Sequence, residues 1–371
     1  MIPLEALELF VIDLPLVHPF RTSFGEERVR RVLLVSVAGE GAVGWGECVA
    51  SSGPWYSYET VDTAFHMIRD FIVPLLRGAR LEHPRDFPAL VAPIRGHPMA
   101  KAAVEAAIWD LFCRLKGVPL WKEIGGVREE VLSGVSIGIQ DSIPELLARV
   151  WEFVDRGYPR VKLKVKPGWD ISVLEAVRGE FPEIKLQVDA NCAYRPGDPA
   201  LPEFDRFGLL LVEQPFHYED LLEHARLART LSTPVCLDES ITSPHRAREA
   251  MELGACSVIN IKQGRVGGLT AAVEIHDLAR ERGIPVWCGG MLETGVGRAL
   301  NVALATLPNF SLPNDISATD RYFREDIAHP PFALTSRGTI PVPGGPGIGV
   351  EVDGERLRRE AAVTARFGLR R

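Results

Sequence analysis

Val161–Lys166 (VKLKVK) is the first of five short apolar runs that each deliver a charged residue at a near-constant interval, and that interval decides the fold. The others are Lys185–Asn191 (KLQVDAN), Gly208–Pro215 (GLLLVEQP), Pro234–Ser240 (PVCLDES) and Cys256–Gln263 (CSVINIKQ). They space Lys164, Asp189, Glu213, Asp238 and Lys262 successively 25, 24, 25 and 24 residues apart. Each run reads as a buried strand, and the stretches between are amphipathic. One strand plus one helix fills such a period, so the chain repeats βα units that close into a parallel sheet or barrel. In such barrels the active site is built where strands end at the C-terminal face, so a charged residue closing an apolar run reads as chemistry.

With 371 residues the chain exceeds what one core usually supports, which predicts a barrel plus a second domain. The expected second domain is α+β and spans residues 1–126. It has strands near Leu4–Leu14, Val29–Ala38 and Val43–Val49 and a helix over Met99–Lys116. Gly117-Val118-Pro119 stops that helix and Gly125-Gly126 supplies a joint. The barrel is expected over 127–324, its first strand Val131–Gly138 and its last two Ile284–Met291 and Phe310–Asp315. Beyond that the chain turns Pro/Gly-rich, so 325–371 is expected to return to the first domain.

Hydrophobic residues at 46% and charged residues at 25% are ordinary for a soluble globular protein. The net charge of -7 and the absence of a basic run with interleaved aromatics argue against nucleic acid, leaving a small molecule as the partner. No apolar run approaches the roughly 20 residues of a membrane helix, and the N-terminus reads as a strand rather than a signal peptide. Six cysteines without CxxC spacing read as buried thiols of a cytoplasmic protein.

Lysine is scarce, eight of 42 basic residues, yet three of the eight are Lys162, Lys164 and Lys166. Alternation along a strand puts all three on one face. Turned inward, Lys162 and Lys164 would crowd two ammonium groups, and repulsion with burial would lower a lysine pKa toward that of a general base. Asp189, Glu213 and Asp238 close three adjacent strands, and a divalent cation resolves the repulsion among their carboxylates. All-oxygen ligation favours Mg2+ or Mn2+ over zinc. Helix capping by each carboxylate is the simpler alternative, but it does not account for all three together.

If the KxK strand is second of eight, Lys262 ends the sixth, half a turn around, with the carboxylates between. Two lysines would then face each other across a metal-bound substrate. That arrangement suits removal of a proton beside a carboxylate, with the charge of the ene-diolate offset by the metal and delivery from the opposite face inverting the centre.

The KLK, DAN, EQP, DES and NIK motifs together resemble the enolase superfamily, in its muconate-lactonizing subgroup. The resemblance implies a (β/α)7β TIM-like barrel of the α/β class with an α+β capping domain, and a homo-oligomer. It implies Asp189, Glu213 and Asp238 as Mg2+ ligands and Lys164 and Lys262 as the acid/base pair. Ile261–Gly268 (IKQGRVGG) and Trp287–Gly295 (WCGGMLETG) are similar to the N-succinylamino acid racemase and o-succinylbenzoate synthase group, in which Arg265 is associated with racemase-capable members. Racemisation requires both lysines, whereas the dehydration of menaquinone biosynthesis can proceed on Lys164 with Lys262 as a cation.

Supporting positions follow from these. Asn191 points the same way as Asp189, and Glu239 and Gln214 could orient the ligands or Lys262. Ser136 lies where it could touch the substrate tail, and Asp315 closes the last strand. Phe20 and Phe24 lie in a Gly-terminated loop that suits a lid, Trp55 offers a second apolar wall, and Gly290 admits close approach so that Met291 and Leu292 line an acyl pocket. His217 and His276 read as structural.

Other readings keep the same five residues. Dipeptide epimerases and muconate cycloisomerases differ in their loops, and Pro313-Asn314-Asp315 lacks the Asp-x-Asp element that epimerases use for the substrate amine. A non-catalytic metal-binding barrel would have no reason to retain two buried lysines.

Overall fold

The computed structural model describes residues 1–370. Its N-terminal part is an antiparallel meander of β1 (Ala6–Arg21), β2 (Glu26–Gly39) and β3 (Ala42–Cys48). Leu33, Leu34 and Val35 of β2 are all fully buried, so both faces of this sheet are covered. One face packs on the helix Pro98–Lys116, whose alanines let it approach closely. Gly44 and Gly46 are the counterpart on β3: a Cβ would come within 2.2 Å of the Ala107 carbonyl oxygen at Gly44 and 2.0 Å of that of Ala103 at Gly46.

The chain then makes β4 (Glu130–Leu132) and seven parallel strands: β5 (Val135–Ile137), β6 (Arg160–Lys164), β7 (Lys185–Asp189), β8 (Val212–Glu213), β9 (Val235–Leu237), β10 (Val258–Ile261) and β11 (Val286–Cys288). They lie in sequential order in one curled sheet, as repeated right-handed βα crossovers require. The eighth position is held by residues 310–315. Phe310 bridges Val286, the Asp315 amide donates to the Cys288 carbonyl at 2.8 Å, and the Asn314 amide donates to that of Leu132 at 3.0 Å.

The tail contributes β12 (Ala328–His329), β13 (Thr339–Pro341), β14 (Glu351–Val352) and β15 (Val363–Gly368). β12 pairs with β14, β13 with β4, and β15 with β1. Among the described residues no helix is long and apolar enough to cross a membrane, and the six cysteines carry free thiols.

Two expectations are corrected here. Val131–Gly138 is not one strand: its first half leaves the barrel to pair with β13, and only β5 joins the parallel sheet. The break falls at Ser133-Gly134, where a Cβ on Gly134 would meet the Arg160 guanidinium at 2.4 Å. Lys166 does not share the inward face. β6 stops at Lys164 and a turn bridging Lys166 to Trp169 exposes Lys166, so the inward-facing set is Arg160, Lys162 and Lys164.

Candidate active site

Three carboxylates stand side by side because the strands carrying them are neighbours in register. Asp189 pairs with Glu213 across β7 and β8, and Glu213 with Cys236, two residues before Asp238. Asp189, Glu213 and Asp238 are buried, each with a carboxylate oxygen within 4.8 Å of the others'. Three hard oxygen donors without His or Cys fit a divalent cation such as Mg2+ or Mn2+. Burial and the neighbouring Asp189 push the Glu213 carboxyl up, whereas Lys164 and Lys162 overcome burial at Asp189 and hold it well below the usual range.

The two lysines flank this group from opposite sides. Lys164, at the end of β6, donates from Nζ to Asp189 Oδ2 at 2.6 Å and to Asn191 Oδ1 at 2.7 Å. Lys262, one residue past β10, donates to Asp238 Oδ2 at 2.8 Å and to the Tyr56 hydroxyl at 3.2 Å. Three strands, β7 to β9, separate them. Burial lowers the Lys262 pKa, but Tyr56, Glu213, Glu239 and Asp189 outweigh it and the net direction is up.

Lys162 contradicts the expectation of a lowered pKa. Its ammonium is caged by Asp315 at 2.6 Å, Glu213 at 3.0 Å and Asp189 at 3.2 Å, and lies 4.8 Å from the Trp287 ring centroid. Burial disfavours the charge, yet Asp315, Glu213 and Asp189 together raise the pKa, so repulsion between Lys162 and Lys164 does not decide it. Its ammonium is held in place by these three carboxylates.

Both flanking lysines open into a cavity of about 160 Å3. Ser136, Lys162, Asn191, Gly290, Met291 and Leu292 contribute to its barrel side, and Phe20, Phe24 and Trp55 to its cap side. Phe20 lies on β1 itself, and Thr22–Gly25 forms the tight turn to β2 with the Thr22 amide bonded to the Gly25 carbonyl at 2.8 Å. Gly290 is needed for space: a Cβ there would lie 2.7 Å from the Asp315 carbonyl oxygen. Asn191 adopts a positive φ of 44°, which Asn tolerates better than most residues.

Glu239 and Arg265 lie outside the cavity wall. Glu239 Oε1 accepts from Asn191 Nδ2 at 2.9 Å while Oε2 has no partner, and burial, then Asp189, push its pKa up to about 7. Arg265 is buried and hydrogen-bonded twice to the loop after β9 and once to β10: Nε to the Ile241 carbonyl at 2.7 Å, Nη1 to Asp238 Oδ1, and Nη2 to the Asn260 carbonyl at 2.5 Å. It fixes a carboxylate that Lys262 also touches. Gly264 beside it lets cap and barrel meet, since a Cβ would come 2.3 Å from Val49 Cγ2. Gln214 Oε1 accepts from the Asp238 and Ser240 amides at 3.0 and 3.2 Å, holding the loop that carries Asp238.

Several contributors escaped the sequence reading. Tyr56, the neighbour of Trp55, donates its hydroxyl to Asp238 Oδ1 at 2.9 Å. Asn260 donates from Nδ2 to Glu213 Oε1 at 2.7 Å, and its place two residues before Lys262 was the available signal. Asp315, expected only to close the last strand, also lines the cavity, held by Arg160 at 2.6 Å, Lys162 at 2.6 Å and the Ser136 hydroxyl at 2.9 Å. His276 is structural: it is buried, its Nε2 accepts from the Asn309 amide at 3.0 Å, and its ring stacks on Phe310. His217 is exposed and stacks on Tyr218.

Residues 6–125 match the mandelate racemase / muconate lactonizing enzyme N-terminal domain, and residues 145–357 match the enolase C-terminal domain-like family. The chain is 50% identical over 360 residues to an o-succinylbenzoate synthase of Geobacillus kaustophilus, covering 96% of each chain. It is 51% identical over 349 residues to an N-succinylamino acid racemase of Amycolatopsis sp, covering 94% of each. A crystal structure of an enolase superfamily member from Listeria innocua superposes with a TM-score of 0.95 at 42% identity over the whole of both chains.

Proposed function

Since the chain belongs to the enolase superfamily, with the N- and C-terminal domains of its mandelate racemase / muconate lactonizing enzyme branch, we propose that it removes a proton alpha to a carboxylate by two-lysine acid/base chemistry. The substrates we assign are an N-succinylamino acid, which it racemises, and the succinylated cyclohexadiene carboxylate that an o-succinylbenzoate synthase dehydrates. The observation that carries the reading is that Lys164 and Lys262 open into one cavity from opposite sides of the carboxylate triad.

Asp189, Glu213 and Asp238 would hold a divalent cation, for which Mg2+ is our assignment and Mn2+ the substitute. Its charge would offset the negative charge that the substrate carboxylate gains as the proton leaves. Lys164 Nζ takes the proton from one face, and the carbanion delocalises into the carboxyl group as an ene-diolate. Lys262 Nζ returns a proton to the opposite face, which inverts the centre. In the dehydration Lys164 serves as base and then acid on one face, and Lys262 remains a cation beside the developing charge. Lys162, fixed by three carboxylates, keeps positive charge on the cavity wall. Met291, Leu292, Phe20, Phe24 and Trp55 supply the apolar wall for the acyl and side-chain portions and exclude water.

Dipeptide epimerisation fits less well. Asp315, the acid nearest to where a dipeptide amine would be read, already accepts from Arg160, Lys162 and Ser136. Muconate cycloisomerisation would use the same five residues and differ in the loops, and a binding-only barrel leaves the paired lysines without a use. Assembly as a homo-oligomer and a reducing, cytoplasmic setting belong to the same reading, the latter supported by six free thiols.

The test is proton NMR with Mg2+ and N-succinyl-L-phenylalanine in deuterium oxide. Loss of the α-proton signal is expected, with the optical rotation of the same sample decaying as the D form accumulates. A folded, metal-loaded protein that exchanges nothing and also fails to dehydrate the cyclohexadiene substrate would overturn the reading.

A further inference from the structure

A second cavity, of about 180 Å3, lies in the seam where β1 of the cap passes the first barrel strand. His18 reaches it from β1, Arg149 from the helix Ile143–Asp155, and Arg321 from the turn after the eighth barrel position. Arg321 is only 7% exposed, and among the described residues no acidic group pairs with it. Its Nη2 donates to the Ser136 carbonyl at 3.0 Å, its Nε has no partner, and its guanidinium lies between the rings of Phe153 and Tyr322 at 4.9 and 5.1 Å. A buried cation without a counter-ion is costly, and burial pulls its pKa down.

The neighbouring groups add to the imbalance. Arg149 pairs with Glu152 at 2.7 Å but also turns its two Nη atoms to the His18 ring, at 3.3 Å from Nε2 and 3.2 Å from Nδ1. The acids of this cavity serve its outer end. Glu26 and Asp141 hold Arg21 at 3.0 and 2.5 Å, Glu26 also holds Arg28 at 2.7 Å, and Glu145 is exposed. The inner end therefore has three nitrogen-bearing groups converging on open space with one carboxylate among them, that of Glu152.

We propose that this inner end binds a small tetrahedral oxyanion of the inorganic phosphate class, held by the guanidinium groups of Arg149 and Arg321 and by the His18 imidazole. Donors arriving from three elements, rather than in one plane, suit a tetrahedral anion better than a planar carboxylate. Because His18 belongs to the cap and both arginines to the barrel, the anion ties the two together. It does so directly behind Ser136, whose hydroxyl faces the other cavity.

Equilibrium dialysis of the full-length, Mg2+-loaded protein against radiolabelled inorganic phosphate at constant ionic strength tests this. One saturable equivalent per chain is expected, retained in Asp189→Asn. Its affinity should fall by about tenfold or more in Arg321→Gln and in Arg149→Gln, the worth of one hydrogen bond to a charged group. Arg149 is one-third exposed, so its variant decides the matter if Arg321→Gln fails to fold. No saturable binding, binding abolished by Asp189→Asn, or binding unchanged in the arginine variants would overturn the proposal.

Discussion

Gly289 and Lys262 share a contact that only a hydrogen in place of a side chain permits: a Cβ at residue 289 would lie 2.6 Å from Lys262 Cε and 2.3 Å from Asn260 Oδ1. Two residues on adjacent strands thus set where one ammonium group stands. Gly289→Ala should displace Lys262 and reduce racemase kcat by about a hundredfold, as expected of a misplaced acid/base group, while KM moves much less. Steady-state kinetics on both enantiomers checks this, and near-normal turnover would show that the position of Lys262 is not limiting.

Trp55 and Phe24 are 68% and 41% exposed although both line the cavity. Their removal should leave the melting temperature nearly unchanged, since exposed positions contribute within about 0.5 kcal/mol. Trp55→Ala and Phe24→Ala should instead raise KM several-fold, by roughly 1 kcal/mol of lost apolar contact, most for substrates with bulky side chains. Equal losses for small and bulky substrates would argue against the acyl-pocket assignment.

Metal removal should abolish turnover and leave the fold intact. The triad's oxygens already accept from Lys162, Lys164, Asn260, Lys262 and Arg265, so the cation-free site is not three naked charges. Adding Mg2+ at a hundred times its Kd should stabilise the wild-type protein by about 2.7 kcal/mol, and Asp238→Asn by far less. Calorimetry with and without chelator decides it.

Glu105, fully buried with Oε1 unpartnered, has its pKa pushed up to about 7 by burial. Between the ordinary carboxylate value of 4.5 and about 7 the folded chain holds a proton that the unfolded chain has released, so stability falls as pH rises through that window. The fall from this group is at most about 3 kcal/mol. Glu105→Gln should flatten that limb of the denaturation profile. An unchanged profile would mean that Glu105 is ionised when folded.

The five motif strands were legible because a buried parallel strand writes itself as an apolar run, and because each active-site charge sits where its run ends. What escaped depended on contacts remote in sequence. The raised pKa of Lys162 comes partly from Asp315, 153 residues on in the eighth barrel position, which no periodicity in VKLKVK reveals. Arg160 was missed because the strand was read from Val161, although strand alternation makes it the true partner of Lys162 and Lys164 on the inward face. Tyr56 reaches Asp238 from the cap, a contact between domains, and the break at Gly134 answers to the Arg160 side chain rather than to any local turn signal.

The most direct test of the two-lysine account is deuterium exchange at the α-carbon of each enantiomer of N-succinylphenylalanine by Lys164→Ala and Lys262→Ala. Each variant keeps one base, so each should exchange the proton of only one enantiomer, the two variants choosing opposite ones, while racemisation falls by at least about a hundredfold, the lower range for loss of a general base. Exchange of both enantiomers by either variant, or continued racemisation by Lys262→Ala, would contradict the assignment of one lysine to each face.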